Sequence, residues 1–129
     1  MSLPELSNVA SAGVRDWHGA LDALKTAAQS AHLRYREIDL HGVSSKTELM
    51  GVLGKGLALP AHFGANWDAL ADSIEDGDWL GGHGVVVVLR HSHAYRKAHA
   101  ADWTTLTDIL GEASEYWRDL HKPFWTFSA

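Results

Sequence analysis

Asp68 and Asp72 stand four residues apart, Glu75, Asp76 and Asp78 follow them, and no lysine or arginine occurs between Lys55 and Arg90. On a helix that spacing puts the first two carboxylates on one face, with Cβ atoms roughly 5–6 Å apart, where they repel each other. Paired carboxylates can act as acid and base, or they can hold positive charge brought by another molecule. The first use needs a pocket that drives their proton affinities apart. It also needs a nucleophile, a cofactor loop or a third group, and the sequence supplies none beside them. Gly51-Val52-Leu53-Gly54-Lys55-Gly56 is rich in glycine but lies in a helical pattern and lacks the order of a phosphate loop. We therefore expect no enzyme. The second use fits the charge distribution: of 16 acidic residues against 11 basic ones, these five account for the whole formal charge of -5. A patch of that kind steers a cationic partner.

The elements that must carry this patch are legible around it. Asn66 is placed to cap a short helix whose core face is Trp67, Leu70, Ala71 and Ile74. Trp67 shares that face and reads as core. Asp68 in the first turn suits the helix dipole, whereas Glu75 and Asp76 near the last turn oppose it. Ahead of this, Asp16–Ala31 has the spacing of an amphipathic helix capped by Asp16, and Leu33–Leu40 reads as a strand. Ser45-Lys46-Thr47-Glu48 is a capping-box pattern that starts a helix with Leu49, Val52 and Leu53 inside; Gly54, Gly56 and Pro60 end it. Val85–Leu89 is an unbroken apolar run of the sort found in a parallel strand covered on both faces. A polar connector with His91, His93 and His99 follows. Asp102–Leu120 then reads as a long helix, and Phe124–Phe127 as a last strand. Strands separated by helices imply an α/β fold with a small, three-stranded parallel sheet flanked by helices, plus an additional N-terminal helix.

Composition sets further bounds. A chain of 129 residues, 46% hydrophobic and 21% charged, makes one globular domain. It has no cysteine, so neither disulfides nor thiolate metal sites are available, and a reducing compartment is expected. Met1–Leu6 lacks the basic start and apolar run of a signal peptide. The valine run is far shorter than the roughly 20 residues that cross a bilayer, so we expect a cytoplasmic protein that does not enter a membrane. Nine histidines are many, yet His91, His93 and His99 read as solvated connector residues without a close carboxylate companion, and we expect no metal and no cofactor. Direct nucleic-acid binding is disfavoured, because Arg90, Arg96 and Lys97 are too few to neutralise a run of phosphates.

Leu59-Pro60, Phe63-Gly64, Asn66-Trp67-Asp68-Ala69-Leu70 and Asp72 together resemble the signature of the barstar family, the intracellular inhibitors of secreted microbial ribonucleases such as barnase. The resemblance extends back through Ile38-Asp39, Val43, Leu49 and Leu53, and forward to the valine strand, Glu112-Ala113 and the last strand. It divides the chain into an N-terminal helical extension over 1–33, packed on the domain, and a barstar-like domain over 34–129. By position it implies that Asp72 is the main mimic of an RNA phosphate in the ribonuclease active site, and that Asp68 meets a second cationic group. A carboxylate facing guanidinium donors makes strong, often bidentate bonds. Glu112 would add an acidic contact from the later helix, and Glu75 and Asp76 complete the patch. His62 stands where the family protein barstar has a tyrosine over the ribonuclease active site, and Ala71 where it has a tryptophan. Trp79 is placed to restore an aromatic contact, and Asn66 belongs to the same binding segment. The implied partner is a small, basic, extracellular ribonuclease. The same acidic face would equally serve an immunity protein or antitoxin of this fold against a cationic toxin of another activity.

Overall fold

The computed structural model describes residues 3–60, 64–76, 79 and 82–129. Among them are four strands, β1 (Val14–Asp16), β2 (Arg34–Asp39), β3 (Val85–Arg90) and β4 (Phe124–Ser128). Five helices accompany them: α1 (Leu21–Ser30), α2 (Lys46–Gly56), α3 (Trp67–Ile74), α4 (Ser92–Ala98) and α5 (Ala100–Asp119). The strands form one sheet in the order β1-β4-β3-β2, with every pairing parallel. The α/β class is as expected, but the sheet has four strands and not three. The extra one, β1, pairs Val14 with Thr126 and Asp16 with Ser128.

That fourth strand also corrects the first helix. Asp16 ends β1, and the Trp17 N–H continues the ladder by donating to the Ser128 carbonyl at 2.8 Å. Those sheet bonds hold the segment extended, so α1 begins only at Leu21. Between them the Trp17 indole folds back and donates to the Ala20 carbonyl at 3.2 Å. A Cβ on Gly19 would lie 2.6 Å from that ring, so only glycine lets the ring sit there.

The sheet separates two layers of core. Strand alternation sends Val85, Val87, Leu89 and Phe124 to one side, where they meet Leu49 and Leu53 of α2, Leu70 and Ile74 of α3, Tyr95 of α4 and Leu106, Leu110 and Trp117 of α5. Val86, Val88, Trp125 and Phe127 face the other side, against Leu6, Trp17, Leu24, Ala28 and Leu33. The valine run thus serves both layers, which is why it is apolar throughout. Residues before β2 cover one whole face of the sheet, and those after it cover the other.

The connector expected around the histidines is α4. Only Ser92 and Tyr95 of it are buried, too thin a pattern to register as helical in the sequence. Arg96 and Lys97 in its last turn complement the helix dipole. The capping box at α2 is realised in part. The Ser45 hydroxyl accepts the Glu48 N–H at 3.1 Å and lies 3.3 Å from the Glu48 carboxylate, which also receives Ser44 Oγ at 3.1 Å.

Candidate functional site: an acidic face on α3 and α5

The helix that carries Asp68 and Asp72 is fixed at both ends by its neighbours. At its start Asn66 is extended, and its Oδ1 accepts the Ala69 N–H at 2.8 Å while its Nδ2 donates to the Gly64 carbonyl at 3.3 Å. Both polar ends of Asn66 are engaged in building the cap, which stabilises the helix by about 1 kcal/mol. The residue before it, Ala65, has a φ of 53°, the left-handed turn that swings the chain into the helix. Leu70 and Ile74 are completely buried, each adding about 1.5–3 kcal/mol of apolar burial. At the far end the Trp117 indole N–H of α5 donates to the Ile74 carbonyl at 2.8 Å, satisfying one of the carbonyls a helix C-terminus leaves free.

With one face anchored, the other is presented. Asp68, Asp72 and Asp76 are exposed and follow one another at four-residue intervals. Glu75, which caps the helix, is half-buried, and its carboxyl is raised above the ordinary range by that burial first, then by the charges of Glu112 and Asp72. The Trp117–Ile74 bond packs α5 against the end of α3, which brings Glu112 close enough to act on Glu75. Four carboxylates from two helices therefore share one surface, and among the described residues Asp68, Asp72, Glu75 and Glu112 make no ion pair.

Other site residues have different surroundings. The Trp79 indole donates to the Leu57 carbonyl at 2.7 Å, its ring centroid lies 5.8 Å from that of Phe124, and its own carbonyl accepts Arg34 Nη1 at 3.3 Å. It closes the amino-terminal edge of the sheet. Trp67 is half-buried against the core, and Lys46 Nζ sits 5.5 Å from its ring centre, a contact that nothing in the sequence spacing announces. His62, Gly77 and Asp78 lie outside the described residues.

The apolar spacing of the long helix also includes Tyr116 and Leu120, which the structure leaves exposed and not in the core. Tyr116 on α5 and Leu120 at its C-cap, four and eight residues after Glu112, are 42% and 51% exposed, and the Tyr116 ring packs edge-on against Trp117.

The fold is a parallel α/β scaffold that carries a cluster of exposed carboxylates on the outer face of α3 and α5. The chain belongs to the Barstar (barnase inhibitor) family, whose pattern matches residues 33–129. Proteins of that family are inhibitors that bind ribonucleases. The match begins one residue before β2, so β1 and α1 lie outside it. No curated protein matches the chain. Among the described residues no helix is long and apolar enough to cross a membrane.

Proposed function

We propose that this protein is a cytoplasmic inhibitor that plugs the active site of a small, basic, secreted ribonuclease made by the same cell. Asp72 takes the place of the scissile phosphate, Asp68 meets a second cationic group, and Glu75 and Glu112 extend the contact from the end of α3 onto α5. The observation that carries this reading is the convergence of Asp72, Glu75 and Glu112 across two helices, with no basic residue of the chain paired to them among those described. The repulsion stored there is relieved when guanidinium and ammonium groups arrive, and the rigid helix needs no reordering to receive them.

The test is inhibition of a barnase-like ribonuclease on an RNA substrate by the wild-type chain, Asp72→Ala and Asp22→Ala. Asp22 is an exposed acid in the first turn of α1, on the opposite side of the sheet. Stoichiometric inhibition that is lost in Asp72→Ala and kept in Asp22→Ala supports the assignment. Equal loss in both variants, or inhibition unaffected by either, would remove it. No inhibition by the wild type would direct the search to a cationic toxin of different activity.

A further inference from the structure

The carboxyl ends of β2 and β3 lie side by side, with Asp39 opposite Arg90, and a histidine follows each strand within two residues. The His41 backbone N–H donates to Asp39 Oδ1 at 2.9 Å, which holds the turn after β2. The same carboxylate oxygen lies 2.7 Å from His91 Nδ1. His91 has a φ of 53°, a left-handed conformation that residues with a side chain seldom adopt. The His41 and His91 ring centroids are 5.6 Å apart with the planes at 66°.

This arrangement has a chemical consequence. An ionised carboxylate on Nδ1 makes that nitrogen the proton carrier and leaves the Nε2 lone pair outward, the device by which carboxylates orient histidines that ligate metals. Two imidazoles bound to one ion at about 2.0–2.1 Å, near the tetrahedral angle, have ring centroids about 5–6 Å apart. The observed separation falls in that interval.

We propose that His41 and His91, with Asp39 as the positioning residue behind His91, bind one divalent late transition-metal ion at the carboxyl edge of the sheet. Imidazole nitrogen suits zinc, nickel and copper. No group of three or more metal-ligating side chains occurs among the described residues, so the proposed ion has two protein ligands and water fills its remaining positions. The sequence draws attention to His91 together with His93 and His99. In the structure His99 is packed on Tyr95, with ring centroids 4.8 Å apart, and the companion of His91 is His41, 50 positions earlier in the chain. The site is independent of the acidic face and of the function proposed for it.

The molecule contains its own control. His32 and His83 also approach each other, with centroids 6.1 Å apart and planes at 49°, but neither has a carboxylate partner among the described residues. The experiment is calorimetric titration of the full chain with zinc chloride at pH 7.5 and fixed ionic strength. The wild type is compared with His41→Ala, His91→Ala, Asp39→Asn and the double variant His32→Ala/His83→Ala, with thermal melts to show that each is folded. One equivalent of zinc is expected in the wild type and in the His32/His83 variant, and none in His41→Ala or His91→Ala. Asp39→Asn should weaken binding roughly 10–100-fold. Nitrogen-15 spectra of the His91 ring in the wild type should show Nε2, and not Nδ1, shifting on addition of zinc, a response a merely structural Asp39–His91 pair would not give. Absence of saturable binding in the wild type would overturn the proposal. Binding retained in both single histidine variants would do the same.

Discussion

The acidic face of α3 and the carboxyl edge of the sheet are both rich in ionisable groups, and they treat charge in opposite ways. At the edge each acid has found a partner within the chain: Asp39 with His91 at 2.7 Å, Glu37 with Arg90 at 3.6 Å and Asp16 with Arg96 at 3.2 Å. On α3 and α5, Asp68, Asp72, Glu75 and Glu112 are gathered without one among the described residues, and Glu75 is raised by its neighbours. Exposed pairs such as those at the edge contribute little to stability. The difference is one of pairing: charge that is answered internally positions backbone and rings, whereas the acids of α3 and α5 have no basic partner in the chain among the described residues, as the proposed function requires.

The sharpest break in that comparison is Asp72→Ala. Binding to the ribonuclease should weaken by at least about 2 kcal/mol, roughly thirtyfold, in a titration or inhibition assay. The unfolding free energy measured in urea should move by no more than about 0.5 kcal/mol, because the side chain is exposed. A large stability loss without a binding loss would assign Asp72 to the fold.

Trp117→Phe tests the clamp that presents the face. It removes the 2.8 Å bond to the Ile74 carbonyl and leaves that buried acceptor unmet, at a cost of about 1–3 kcal/mol in urea unfolding. Unchanged stability would mean that packing alone aligns α3 with α5.

Glu75→Gln sharpens the comparison through pH. A carboxyl raised in the folded state binds protons more tightly there than in the unfolded chain, so ionised Glu75 opposes folding at neutral pH. The glutamine variant should be the more stable at pH 7. Its advantage should fade as pH falls through the folded value, and vanish below the unfolded one. Binding to a cationic partner should weaken in the same variant.

Asp39→Asn should have the smallest effect on folding and the opposite sign. Asp39 is held below the usual carboxylate range by the His91 hydrogen bond first, then by the His41 N–H. The stability it contributes is present above the unfolded value and is lost as pH falls through the lowered folded one. Acid unfolding curves of variant and wild type should converge at low pH, and a gap that widens there would contradict the assignment.

Much of this was readable from residue order, and the losses have physical causes. α3 was legible because a cap, a buried stripe and an opposite acidic stripe coincide in eight residues, and the valine strand because burial on both faces leaves no polar position. β1 was not, since three residues with one apolar side chain carry no period and owe their extended form to β4, far along the chain. The polar segment of α4 hid a helix for a similar reason. The acids of the site could be named in sequence, but that Glu112 sits beside Glu75 is a fact of helix packing.

The pairing of β1 with β4 also sets an order of events during synthesis. Val14 is made 112 positions ahead of its partner Thr126. Until β4 emerges, Trp17, Leu24 and Ala28 have no Trp125 or Phe127 to rest on, so the layer they belong to must wait for the last strand of the sheet. Contacts this distant in sequence slow folding, and they leave apolar surface open in the interval. The sheet is thus closed only once β4 has been made, and a chain cut short before β4 would carry an unclosed sheet edge exposed to strand exchange.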